Sequence, residues 1–230
     1  MDWIAFWLSI KLGVLTVLIL LPLAMFAARG LSNSQFHGKS VLEAMLAVPL
    51  VLPPTVVGYY LLVGMSNDSF IGRWLIELTG QGVVFHFSGL LIASIIVNIP
   101  FAVQPMQRAF EAIPQDIRDS AACCGMSYWR QLITVEIPLA WPGMLTALVL
   151  TFAHTLGEFG VVLMVGGSLP GETKTIAISI YDSVQSFDLE AAGQMSLILL
   201  IFSVVVLAIA NSMSKRLTNP AMKKYVSPEL

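Results

Sequence analysis

His154 and Glu158 stand four residues apart inside a run that is otherwise apolar. On a helix that spacing puts them one turn apart on one face. An ionisable group at such a place costs about 2.5 to 3.5 kcal/mol on insertion scales and usually meets a cavity or a partner. The pair reads either as a polar contact lining a gate or as a tie between helices, and both readings stay open. A zinc site is not indicated, because His-x-x-x-Glu lacks the second histidine of His-Glu-x-x-His and no further ligand cluster accompanies it. Cys123 and Cys124 are the only cysteines, and their adjacency suggests neither a C-x-x-C site nor a structural disulfide. Gly167 to Thr175 has the outline of a phosphate loop, but Glu172 stands where that loop requires Lys, so this chain is not expected to bind ATP. Ser94 and Ser196 have no His and acid visibly arranged around them, which leaves an intramembrane hydrolase as the less favoured alternative.

The elements that must position these residues are membrane helices. With 57% apolar and 11% charged residues, the chain has a composition suited to lipid. A hydrocarbon layer about 30 Å thick needs roughly 20 apolar residues per span, each span helical so that its backbone is satisfied internally. Five runs qualify: Leu12 to Ala28, Val41 to Met65, Ser88 to Ala109, Ile137 to Val165 and Met195 to Met213. An all-α integral membrane protein with about five transmembrane helices in a single domain, 1–230, is expected. The first run follows Asp2 rather than a basic cluster and has no clean small-x-small site after it, so it is expected to remain attached.

Arg29 and Lys39, then Arg108, Arg118 and Arg130, then Lys215, Arg216, Lys223 and Lys224 all fall on one set of loops and the tail. The other side holds Lys11, Arg73 and Lys174. The positive-inside rule places the N-terminus outside and the C-terminus in the cytoplasm, with external loops at about 66–87 and 166–194. Nothing resembles a nucleic-acid-binding signature.

The second run contains Pro49, Pro53 and Pro54, each lacking a backbone donor, and must kink or break at mid-membrane. Freed carbonyls at that depth are tolerated inside protein or beside water. A broken helix there serves either as a transport element, with Thr55 and Gly58 near the solute, or as a packing kink.

Between the third and fourth runs, at about 111–136, Pro114 suits a helix start and Gly125 its end. Asp116 and Asp119 suit the positive end of the dipole, and Ser120, Ala121 and Ala122 make a small flank that another backbone could approach. Ser127 can cap a second short helix bearing Tyr128, Trp129, Leu132 and Ile133, before Pro138 restarts the chain. The result is a cytoplasmic helix-turn-helix or, on physics alone, an ordinary interfacial loop.

This segment resembles the loop of ABC-importer permease subunits, written Glu-Ala-Ala, three residues, Gly, nine residues, Ile-x-Leu-Pro. Asp119, Ser120, Ala121, Gly125, Val135, Ile137 and Pro138 match its spacing. The resemblance extends to molybdate-type permeases through Pro49 to Leu62, Leu156-Gly-Glu-Phe-Gly160 and Pro170 to Ile176; sulfate and tungstate permeases look similar around Gly-Glu-Phe-Gly. Where that family has Arg four residues before the Glu, this chain has His154. The resemblance implies a type I ABC importer permease fold in a bacterial inner membrane, conducting an oxyanion by alternating access. It implies a coupling helix docked on a separate cytoplasmic ATPase, two copies of which bind ATP and Mg. It further implies an extracytoplasmic oxyanion-binding protein and a second copy of this chain in a homodimer. No cofactor is expected in this chain. Pro53, Pro54, Thr55, Gly58, His154, Gly157, Glu158 and Gly160 are the expected pathway residues.

Overall fold

The computed structural model describes residues 2–222, and among them all regular structure is helical. Three long helices make the centre: α1 (Trp3–Asn33), α5 (Phe87–Glu111) and α8 (Ile137–Gly157). Their contact is built from small residues, Ala24 and Ala28 on α1, Ala102 on α5, and Ala140 and Ala147 on α8, with Leu20, Val103, Met106 and Phe110 filling between them. Small side chains let helix backbones close up where lipid supplies no hydrophobic drive for association. Gly13 does the same, since a Cβ there would meet the Phe152 ring at 2.9 Å.

Around this core run α2 (Lys39–Val51), α3 (Pro54–Met65), α4 (Phe70–Thr79), α6 (Gln115–Cys123), α7 (Tyr128–Gln131), α9 (Gly160–Gly166), α10 (Ile176–Gln185) and α11 (Leu189–Met222). Among the described residues, four helices are long and apolar enough to cross a membrane, and the pair α2–α3, bent by 108° at Leu52–Pro53, makes a fifth if counted as one span. The expected second run is thus broken rather than merely kinked, because neither Pro53 nor Pro54 can donate across the break. α4 and α10 sit at the end of the bundle where α1 begins and α5 starts, and α6 and α7 at the opposite end.

Three boundaries differ from the sequence expectation. α1 continues five residues past Ala28, to Asn33, so Arg29 is part of the helix rather than of a loop. The fourth run does not extend to Val165: α8 stops at Gly157, and the chain turns at Glu158–Phe159 before α9. At its other end the chain does not restart at Pro138. A π-helical segment, Leu132–Glu136, carries α7 into α8 without interruption. Ile137 N–H reaches back to Leu132 O, five residues earlier. That widening relieves Pro138, which has no N–H and whose ring crowds the carbonyl four residues before it. Of the basic tail, Lys215 and Arg216 fall on α11, and Lys223 and Lys224 lie outside the described residues.

Candidate functional site

Two helix breaks lie side by side. At the first, Pro53 O accepts from Val56 N–H (2.9 Å) and Val57 N–H (3.2 Å), starting α3. At the second, Glu158 Oε1 accepts from Val161 N–H at 3.0 Å, which caps α9 with a carboxylate at its positive end. Gly160 lies directly on the first break: a Cβ there would be 2.8 Å from Pro54 Cβ and 3.3 Å from Thr55 N. One turn along α3, Gly58 meets Met164 Cβ at 2.9 Å and Val161 Cα at 3.0 Å by the same construction. Gly58 therefore faces α9, whereas Pro53, Pro54 and Thr55 are exposed. Gly157 is exposed too and has open space around it, so it mediates no close helix contact.

Glu158 is 6% exposed, and its second oxygen, Oε2, is 3.4 Å from His154 Nε2. His154 in turn stacks on Phe101, centroids 4.1 Å apart, and its Nδ1 is 3.2 Å from Asn98 Oδ1. Asn98, wholly buried on α5, donates from Nδ2 to Ser94 O (2.8 Å) and Thr155 Oγ1 (3.1 Å). Its Oδ1 is then an acceptor, which sets a proton on His154 Nδ1. Thr16 Oγ1 donates to Ser94 Oγ at 2.9 Å, and Thr155 Oγ1 to Thr151 O at 2.8 Å. One polar chain thus runs from α1 through α5 and α8 to the second break. Ser94 is consumed in it, bonded to hydroxyls and an amide rather than to a base.

A cavity of about 480 Å³ begins at Phe101 and is lined further by Leu50, Pro100, Pro105, Gly143 and Thr146. It shares Gln104 and Arg108 with a second cavity of about 520 Å³, which reaches Lys39, Glu43 and Glu111 near the α6 end. Gln107 Nε2 donates to Glu43 (2.6 Å) and Glu111 (2.9 Å), and Lys39 Nζ lies 3.4 Å from Glu111. Arg108 makes no ion pair among the described residues and lies between the two cavities, whose lining balances Lys39 and Arg108 against Glu43 and Glu111.

The loop forms a helix-turn-helix. Pro114 is the residue before α6 rather than within its first turn. Gly125, with φ +73°, ends α6 in a Schellman turn, Met126 N–H reaching Ala121 O at 3.2 Å and Gly125 N–H reaching Ala122 O at 2.9 Å. Ala121 is buried, while Asp119, Ser120, Ala122, Cys123 and Cys124 are exposed. Of the apolar stripe, Leu132 is buried; Tyr128, Trp129 and Ile133 are exposed, with Trp129 edge-on to Phe26 at 6.3 Å. Val135 and Ile137 are half-buried and Pro138 is exposed.

Sequence reasoning missed the anchor of this loop. Glu136, 1% exposed, closes the π segment and accepts from both Arg29 Nε and Arg29 Nη2, the latter at 3.1 Å. Arg29, 4% exposed, lays its guanidinium over the Tyr128 ring at 4.0 Å. Arg118 Nε on α6 stands 3.9 Å from Glu136 Oε1, and its Nη2 donates to Phe110 O at 2.7 Å. The one available signal was an acidic residue, Glu136, directly preceding an apolar span. The Asn98 chain also had a signal, polar residues recurring four apart as Ser94/Asn98 and Thr151/Thr155.

Comparison with known proteins bears on this arrangement. Residues 6–222 match the family described as "Binding-protein-dependent transport system inner membrane component". The chain is 42% identical over 207 residues to the molybdenum transport system permease protein ModB of Azotobacter vinelandii, covering 90% of this chain and 91% of that one. It is 30% identical to a probable sulfate transport system permease protein, cysT, of Chlorella vulgaris, covering 79% and 68%. Among solved structures, a bacterial ABC transporter involved in the import of the acidic polysaccharide alginate superposes with a TM-score of 0.76 at 17% identity, over 94% of this chain and 79% of that one.

Proposed function

We propose, from the premise that this chain belongs to the family of binding-protein-dependent transport system inner membrane components, that it is the membrane-spanning permease of an ATP-driven importer that carries molybdate into the cytoplasm. The observation that carries the substrate is the 42% identity to a molybdenum permease over 90% of the chain, against 30% over 79% for a sulfate permease. Tungstate and sulfate share the tetrahedral dianion geometry and are the alternatives within the same class.

The chain itself conducts; ATP and Mg are bound by two copies of a separate ATPase. A second copy of this chain completes the pathway, with the N-terminus outside and the C-terminus in the cytoplasm. The α6–α7 loop then faces the cytoplasm, where the exposed flank of Asp119, Ser120 and Ala122 suits an ATPase groove. A binding protein delivers the oxyanion at the α4 and α10 end. The cavities leading from Phe101 to Lys39 form the inner vestibule, open toward the cytoplasm. Its upper end is the Phe101–His154 stack beside the two helix breaks, where rearrangement of α3 against α9 alternates access. With Lys39 and Arg108 balanced by Glu43 and Glu111, the vestibule does not hold a dianion tightly, which suits release. Selectivity rests with the binding protein.

Cellular molybdenum in a deletion strain grown at trace molybdate tests this reading, with sulfate uptake followed in parallel. Loss of molybdenum restored by the wild-type gene is the expected result; loss of sulfate uptake alone transfers the cargo to sulfate.

A further inference from the structure

We infer that Glu136 is a positioning residue for energy coupling: its buried carboxylate, clasped by Arg29 and faced by Arg118, is the strut that carries displacement of α6 into α1 and α8. The inference rests on the reading that α6 receives the ATPase.

α6 has little hold on the bundle of its own, with Ala121 its one buried residue. Beyond Leu132 in the core and Trp129 against Phe26, what ties the loop down is polar and centres on Glu136. Arg29 reaches it from the last two turns of α1, in a two-point clasp whose planar geometry resists both sliding and rotation. Gln131, at the end of α7, approaches its Oε1 at 3.4 Å, and Tyr128 covers the other side of Arg29. Arg118 belongs to α6 and also holds Asn33 at the end of α1 and Phe110 O on α5. Four segments therefore meet at one carboxylate.

Glu136 precedes α8 in helical geometry and shares its facing. The π segment that it closes takes up one extra residue so that α7 runs into α8 as one continuous helix, holding Gln131 and Tyr128 close to the carboxylate. The strut also has a second position available. Arg29 Nη1 and Arg118 Nε are buried without hydrogen-bond partners, and Arg118 Nε is 3.9 Å from Glu136 Oε1. A movement of α6 toward the bundle by about 1 Å brings that pair within hydrogen-bonding distance. Such a step links displacement of α6 to α1 and α8 through one carboxylate, a contiguous network of the kind that carries coupling between sites.

A residue that merely anchors the fold affects assembly; a strut affects how much transport each ATP yields. The complex, purified with its co-purifying ATPase, is reconstituted in liposomes with molybdate-loaded binding protein, and molybdate uptake per ATP hydrolysed is measured. Glu136→Gln is expected to assemble and hydrolyse ATP while uptake per ATP falls at least tenfold. Arg118→Gln is expected to lower the ratio less, and Glu136→Asp to recover part of it. A wild-type ratio in an assembled Glu136→Gln complex overturns the proposal. If that variant fails to assemble, Arg29→Lys and Arg118→Gln decide: a wild-type ratio in both overturns it, and a lowered ratio in either supports it. Gly125→Asp separates this from the underlying reading. If it leaves uptake intact, α6 is not the ATPase contact and both proposals fall; if it abolishes uptake while Glu136→Gln keeps the ratio, the strut alone fails.

Discussion

Gly160 seats the start of α9 on Pro54, so close that a Cβ at 160 would stand 2.8 Å from the proline Cβ. The neighbour is a rigid ring at the head of a helix, which cannot swing away as a flexible side-chain end can. Gly160→Val is therefore expected to force α3 and α9 apart, destabilising the protein by about 1 to 3 kcal/mol and abolishing uptake. Gly157→Ala, where nothing lies within 4 Å, serves as the control and should unfold at the wild-type temperature. Thermal unfolding in detergent and uptake in vesicles check the pair.

Glu158 performs two tasks that substitution can separate. Glu158→Gln retains an oxygen that accepts from Val161 N–H, and stability should stay within about 0.5 kcal/mol of wild type. Glu158→Ala loses the cap and should cost about 0.5 to 2 kcal/mol. If uptake drops with Gln at unchanged stability, the charge facing His154 matters to transport. Unaltered uptake leaves Glu158 a structural residue.

At Gly125 the constraint is backbone, since φ is +73° and a Cβ would meet open space. Gly125→Asn, tolerant of that region, should preserve more uptake than Gly125→Val, which pays about 1 to 2 kcal/mol of local strain. Gly125→Asp tolerates the same backbone region, so it is expected to insert normally, judged by membrane fractionation, and the loss of transport expected of it comes from its charge at the exposed turn rather than from the fold.

Asn98 holds the polar chain together, so Asn98→Leu leaves Ser94 O, Thr155 Oγ1 and His154 Nδ1 without their amide partner. Unsatisfied buried groups of this kind cost about 1 to 3 kcal/mol each. A fall in melting temperature larger than that of Thr151→Val, whose hydroxyl hydrogen has no acceptor in the structure, is the expected outcome.

What the sequence revealed follows from which forces are local. Hydropathy is a property of each segment alone, so the five runs and the proline break at Leu52–Pro53 were readable. The turn at Gly125 was readable for the same reason. The break after Gly157 was not, because Glu158 and Phe159 lie within an apolar run and the turn is held by a carboxylate capping the following helix and by Pro54, about a hundred residues earlier. Arg29 looked like a loop cation because it ends an apolar run, and its partner Glu136 is 107 residues away. Polar residues in the spans were visible as types, but their pairing depends on how α1, α5 and α8 pack.

The π segment also has a consequence for the chain's continuity. It takes up one extra residue within a single turn just before the membrane bundle begins, so deleting a residue among Leu132 to Val135 would return that turn to α geometry with the facings of α7 and α8 little changed. Pro138 would then crowd the carbonyl four residues before it, which the wide turn now avoids. The segment is thus a splice, one extra residue that lets a proline sit at the start of α8 while the loop helix and the transmembrane helix remain a single rod.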